Sequence, residues 1–413
     1  MGERLRLPAP LRHRRFAVFC TGRLVSLLGS SMTPVALSFA VLGSSRSATD
    51  LGIVLTAGMV PMLALVLVGG SVADRFPRNR VLRLSNLGAG AAQLIAAAIL
   101  LTGHYSLPAI AATEFLGGVC TAFTTPALRG IVVQLVAAEH LRKANSLLAT
   151  ARNGTKVGGP ALAGVLVATT GGGWAIAADG ISFLVAALLY RTITLPPTES
   201  AHREGVLHGV RTGWREFRHI PWMWRVVTAF TVVNIVHSGG WLVLGPGIAQ
   251  QTVGAAGWGV VLSVRAIGVL VAGLVMYRLA VHRLLRLGQI CAAVTAVPLL
   301  VLGLHGSYPL LLAAAPAAGA GLGVSGIAWD TTMQENIPNH LLSRMAAFDD
   351  FGSYAGIPIG ELLAGPLGSA FGDRVVVLAG GVVLALAALA PLRSPAVRGM
   401  RHPPTGSNRP LPR

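Results

Sequence analysis

Leu84–Gly103 and Val375–Leu392 each run without a single Asp, Glu, Lys or Arg. A helix of roughly 20 apolar residues matches the ~30 Å hydrocarbon layer of a bilayer, and in lipid its backbone groups must bond within the segment. Segments of suitable length lie at 15–42, 50–72, 81–102, 107–133, 142–170, 173–190, 222–248, 255–277, 285–304, 308–333, 346–371 and 375–392. The predicted class is an all-α membrane protein with twelve transmembrane helices. Composition agrees: 53% of the 413 residues are hydrophobic and 12% charged, too few polar groups to clothe a water-soluble globule of this size.

The formal charge is +18, and Lys143 and Lys156 are the only lysines among 33 basic residues. In a soluble domain such a balance points to nucleic acid. Here it follows the loops. Arg4, Arg6, Arg12, Arg14 and Arg15 precede the first segment; Arg75, Arg78, Arg80 and Arg83 follow the second; Arg142 and Lys143 follow the fourth. Arg191, Arg203, Arg211, Arg215 and Arg218 follow the sixth, Arg278, Arg283 and Arg286 the eighth, Arg344 the tenth, and Arg393, Arg398 and Arg401 the twelfth. The alternate loops hold little beyond Arg46, Arg374, His104 and His305. Basic loops stay inside, so both termini are expected in the cytoplasm, with the chain in the plasma or inner membrane and no nucleic-acid partner. Cys20, Cys120 and Cys291 lie in apolar runs without metal-site or disulfide spacing, and no metal is expected.

The stretch GSVADRFPRNRVLRL (70–84) has an echo. Shifted by 203, Gly70, Arg75, Arg80, Arg83 and Leu84 fall on Gly273, Arg278, Arg283, Arg286 and Leu287. Shifted by 200, Gln134, His140 and Leu141 fall on Gln334, His340 and Leu341, and a Gly-Pro pair follows each (Gly159-Pro160, Gly365-Pro366). Two matches at nearly one offset argue for two parallel six-helix halves. The expected domains are residues 1–190 and 222–393, joined by a cytoplasmic linker, 191–221, with an amphipathic surface helix, and followed by a tail without regular structure, 394–413.

On these residues the chain resembles the major facilitator superfamily, over essentially its whole length. The superfamily's loop signature is matched by Gly70, Asp74, Arg75, Arg78 and Arg80, with Pro77 where a glycine is usual. The regions around the fourth-to-fifth and tenth-to-eleventh spans look like the branch containing macrolide efflux proteins and the enterobactin exporter. Gly159, Pro160 and Gly164 are similar to the helix-bending motif of drug–proton antiporters, with Thr155 and Ala163 in place of two of its glycines.

The resemblance implies that the eleventh span neighbours this loop. Arg78 or Arg80 would then pair with Asp349 or Asp350, a latch closing the cytoplasmic side, while Asp74 favours the positive end of a helix dipole. Ionisable groups at membrane depth are costly and usually functional. Glu114, Lys156, Arg265 and Glu361 are the candidates for proton coupling, expected to pair with one another, although Glu114 falls where related antiporters have arginine. Asp179 reads as structural. Asn234, His237, Trp241 and Trp329 fall on the seventh and tenth spans, which line the central cavity in this fold, and are candidates for substrate contact. For His237 a satisfied core histidine is the competing reading.

These features predict a secondary transporter working by alternating access, a monomer that exports a small amphipathic molecule, such as a drug, an antibiotic or a siderophore-like compound, in exchange for protons. It needs no cofactor beyond the proton gradient. No phosphate-binding loop, HExxH or Gly-x-Ser-x-Gly occurs, so neither an ATP-driven engine nor an intramembrane enzyme is expected. An importer or sodium-coupled carrier, and a non-transporting sensor on the same fold, are the alternatives.

Overall fold

The structure, a computed structural model, describes residues 13–137, 140–194, 215–279 and 281–400. Most of the expected linker, and the tail beyond residue 400, lie outside these. Every regular element among the described residues is helical.

Helix α1 (Arg14–Ser45) stops where Arg46 turns left-handed, with φ 55°. Ser47 then caps α2 (Ala48–Arg75), its hydroxyl accepting the Asp50 amide at 3.1 Å. Four more continuous rods follow: α3 (Arg78–Leu101), α4 (Leu107–Leu135), α5 (Leu141–Thr170) and α6 (Gly172–Arg191). In the turn between α3 and α4, Tyr105 donates to Asp50 at 3.1 Å. Partial burial, reinforced by that carboxylate, pushes its phenol up to about 12.

The later spans are segmented. The seventh comprises α7 (Pro221–His237), a π-helical turn (Ser238–Leu244) and α8 (Gly245–Thr252). After α9 (Gly254–Arg278), the ninth is split into α10 (Leu284–Val294) and α11 (Val297–Gly303). The tenth is α12 (Tyr308–Asn336), and the eleventh is split into α13 (Asn339–Tyr354) and α14 (Gly356–Phe371). The chain then forms α15 (Asp373–Leu389), a 3₁₀ turn (Ala390–Arg393) and α16 (Pro395–Arg398). Each interruption has a proline one turn downstream. Pro246, Pro298 and Pro358 offer no N–H to the carbonyls of Leu242, Val294 and Tyr354, and their rings crowd those carbonyls.

Each of the twelve expected segments therefore coincides with a helical rod. By length and composition alone ten helices are apolar enough to cross a membrane among the described residues. The two left out are α5, diluted by polar and small residues between Arg152 and Gly159, and the eleventh span, whose two pieces are individually short.

The chain divides into two compact units, Met1–Ala201 with Ala249–Ser263, and His202–Ile248 with Val264–Arg413. In the first, α2 packs along α4, α3 against α4 and α6, and α1 against α5 and α6. Phe16, Phe19, Leu82, Ile131 and Tyr190 lie in its core. In the second, α7 packs on α13, α14 and α15, and α10 on α12. Val397 is fully buried in its core beside Met223, Val226 and Met345, so the segment expected as a tail from residue 394 begins with a folded turn.

Glycine sets the closest of these approaches. A Cβ on Gly360 of α14 would overlap the Ile235 carbonyl and the Ser238 hydroxyl. Gly360→Leu is expected to lose about 1–3 kcal/mol, read as an earlier thermal unfolding transition of the detergent-solubilised protein. Gly326→Ala is the control, because an added Cβ there meets nothing within 4 Å and should not advance unfolding.

Candidate transport site

The π-helical turn begins just after His237, and Gly239, Gly240 and Pro246 account for it locally: two residues without side chains, then a missing amide. Its register places His237 and Trp241 on one face, their rings stacked at 6.3 Å with an interplanar angle of 14°. Arg265 reaches the same place from α9. Its Nη2 lies 3.3 Å from His237 Nε2, and its Cζ 5.1 Å from the centre of the Trp241 ring. An arginine can only donate, so His237 Nε2 accepts and the ring hydrogen sits on Nδ1. The guanidinium over the indole face is a cation–π contact. Among the described residues no salt bridge reaches Arg265. A cation at this depth held by neutral groups keeps its charge available to a ligand.

Helix α14 is pressed against this turn. Ser238 donates to the Ile357 carbonyl at 3.0 Å, and a Cβ on Gly239 would stand 2.7 Å from the Gly360 carbonyl. The next residue is Glu361, 4% exposed. Two other cavity candidates have partners of their own. Asn234 donates to the Ser353 carbonyl at 2.9 Å, tying α7 to α13. Trp329 lies in the core of the second unit, edge-on to Trp222 at 5.7 Å, and donates to Asp349 at 2.7 Å.

In the first unit Glu114 lies near Gln93 of α3, and its Oε2 stands 3.5 Å from where a Cβ on Gly58 would lie. Asp179 is 1% exposed and sits in a cage of hydroxyls. Thr33 donates to it at 2.7 Å, Ser182 at 3.4 Å and Ser30 at 3.5 Å. Those bonds satisfy the buried oxygens, as its structural reading requires. Lys156 is exposed on α5, one turn from Arg152, and no salt bridge reaches it among the described residues. The mutual pairing expected of the deep acids and bases is thus not how Lys156 and Arg265 are held within their units. Burial of Asp179 is met instead by neutral hydroxyl donors, a choice that spacing along the sequence does not reveal.

Gly159 abuts Ser31 of α1, Gly164 faces the Ala255 carbonyl, and Gly259 faces the Pro160 carbonyl, all inside the first unit. In the loop signature, Arg75 ends α2 and is exposed; Pro77, in place of the usual glycine, is the N-cap of α3. Arg78 follows it, half-buried, and Arg80 is exposed. Gly70 lies in α2, as does Asp74, whose side chain is outside the described residues. Asp349 is half-buried, with Trp329 on one oxygen and Ser353 at 3.1 Å on the other, whereas Asp350 is exposed. Among the described residues no group of three His, Cys, Asp or Glu could hold a metal ion.

The transmembrane secretion effector model of the major facilitator superfamily matches residues 7–408. The chain belongs to that superfamily. The transporter is 28% identical over 367 residues to the multidrug efflux pump Tap of Mycolicibacterium fortuitum, covering 85% of this chain and 88% of that one. It is 26% identical over 364 residues to the enterobactin exporter EntS of Shigella flexneri, covering 86% of each. Its fold is similar to the crystal structure of a bacterial homologue of the lysosomal transporter Spinster, inward-facing and unoccupied, with a TM-score of 0.72, 16% identity, and 95% of this chain and 98% of that one covered. It is accordingly a multi-pass membrane transporter of a small molecule, related to efflux pumps, and not an enzyme.

Proposed function

We propose that the transporter exports a small amphipathic molecule in exchange for protons, by alternating access, as a monomer in the plasma or inner membrane with both termini in the cytoplasm. The observation that carries this is the Arg265–His237–Trp241 cluster, a cation and two flat rings that no salt bridge reaches among the described residues, set in an irregular turn of a membrane-spanning rod. Such a cluster suits a cargo with an aromatic or apolar body and a polar, electron-rich group. The names of the Tap and EntS relatives support the outward direction. Glu114 and Glu361 serve as proton carriers, and the proton gradient replaces any cofactor. Lys156 is a lesser candidate for the same circuit.

Arg75, Arg78 and Arg80, with Asp74, lock the inner face in one stage of the cycle against the acids of the eleventh span. Of these acids Asp349 accepts two hydrogen bonds inside its own unit, and Asp350 is exposed. Gly159, Pro160 and Gly164 bend α5 as the cycle proceeds. Inverted membrane vesicles test the whole reading. Uptake of candidate cargoes should rise when the lumen is made acidic and ignore an imposed sodium gradient; the reverse pattern would replace protons by sodium. In the same vesicles Asp74→Asn is expected to cut uptake about tenfold at unchanged protein content, the scale of one charge-assisted contact. Wild-type uptake in that variant would eliminate the latch.

A further inference from the structure

A second concave site lies wholly within the second unit, where the start of α7 meets the end of α15. It is a cleft of about 550 Å³ between Trp224, Arg225 and Val232 on one wall and Ala387, Arg393 and Ser394 on the other. Its chemistry is graded. At one end Arg225 and Arg393, both exposed, stand at the mouth, and no carboxylate lines the cleft. Arg225 donates to Ser394 at 2.6 Å and lies 5.4 Å from the centre of the Trp224 ring. One hydrogen bond leaves most of the five guanidinium donors unused. Among the described residues neither arginine has a salt bridge. From Arg225 the cleft runs along α7 to Val232, seven residues or about 10 Å at 1.5 Å per residue. Over that length its lining is small and mostly apolar, Ala229, Val232, Ala387 and Ala390 with Thr228, whose hydroxyl donates to the Trp224 carbonyl at 2.8 Å, and Ala387 offers a methyl where a larger side chain would fill the space.

Paired arginines and an interfacial tryptophan at one end of a trough that continues into the hydrocarbon layer match one kind of molecule: an anionic head on an apolar chain. Soluble anions would use the arginines and leave the trough empty, and neutral lipids would use the trough and leave the arginines unpaired. We propose that this cleft binds an anionic phospholipid, its phosphate held by Arg225 and Arg393 and one acyl chain lying along Val232 and Ala387. The Trp224 ring marks the headgroup level, and Ser394 holds Arg225 at the mouth. The site does not depend on which cargo is exported or which ion drives it.

Native mass spectrometry of the intact, detergent-purified transporter, given phosphatidylglycerol or phosphatidylcholine with identical chains, tests this. The wild type should retain phosphatidylglycerol roughly thirtyfold more strongly, the scale of two arginine contacts. Arg225→Gln/Arg393→Gln should abolish the preference. Arg393→Gln alone removes an exposed side chain without disturbing the Arg225–Ser394 bond, and should lower it about fivefold while the protein stays folded. Ala387→Phe keeps both charges and fills the trough, and should also release the lipid. Equal retention of both lipids by the wild type, an unchanged preference in Arg393→Gln, or retention of phosphatidylglycerol by Ala387→Phe would each overturn the proposal. So would displacement of the lipid by inorganic phosphate, since the site would then serve a soluble anion.

Discussion

Arg265→Gln is expected to reduce export about a hundredfold at low cargo concentration, with the protein still present in the membrane at its normal amount. The magnitude follows from two losses: a cation–π contact of about 1–2 kcal/mol at a desolvated site, and a charge-assisted hydrogen bond of similar size to the cargo. Glutamine keeps some length and hydrogen-bonding capacity, so the loss isolates the charge and the flat guanidinium. Arg265→Lys should recover little, because a compact ammonium cannot lie over the Trp241 ring and also reach His237 with a rigid fork of donors. Initial rates of vesicle uptake, normalised to transporter content, are the measurement. Unchanged rates in Arg265→Gln would exclude the cluster from the cargo path.

The second large effect concerns coupling. Each unit of pH gradient supplies about 1.4 kcal/mol per proton exchanged, so tightly coupled exchange of one proton accumulates cargo about tenfold per unit. Glu361 is buried beside the π-helical turn, where a bound proton and bound cargo can influence one another through Gly360, Ser238 and the rods they join. Glu361→Gln preserves shape and removes the titrating group. The variant should exchange cargo down its own gradient yet show an accumulation ratio near one whether or not the lumen is acidic. Glu114→Gln, measured alongside, identifies the carrier: whichever substitution removes the response holds the coupled proton. A full tenfold response in both variants would exclude both carboxylates.

Much of this architecture was legible before any coordinates. Charge-free runs and alternating basic loops located the membrane segments, because lipid tolerates neither unpaired backbone nor unpaired charge. Reading the segments by length and loop charge included two spans that a strict hydropathy threshold passes over, α5 and the rod made of α13 and α14, and the internal echo pointed to two halves. The interruptions were half legible. A proline disfavours helix wherever it stands, but whether it bends a rod, splits it or opens a π turn depends on what packs beside it: Pro34, Pro61 and Pro316 lie inside continuous helices, whereas Pro246, Pro298 and Pro358 follow interruptions. The site divides in the same way. His237 and Trp241 are four residues apart and predictably share a face. That Arg265 joins them, and that Asp179 is enclosed by Ser30, Thr33 and Ser182, are tertiary facts carried by contacts between distant segments. Trp329 shows the opposite limit: a tryptophan on a cavity-lining span reads as a binding residue, yet here its indole N–H serves Asp349.

The interruptions fall unevenly. Spans one to six are continuous rods, whereas three of the later spans are jointed at Pro246, Pro298 and Pro358. A joint uncouples the rotation of one half-rod from the other, so a substitution on one side need not shift the register on the far side. Two halves that echo one another in sequence thus differ in their helices, one continuous and one jointed.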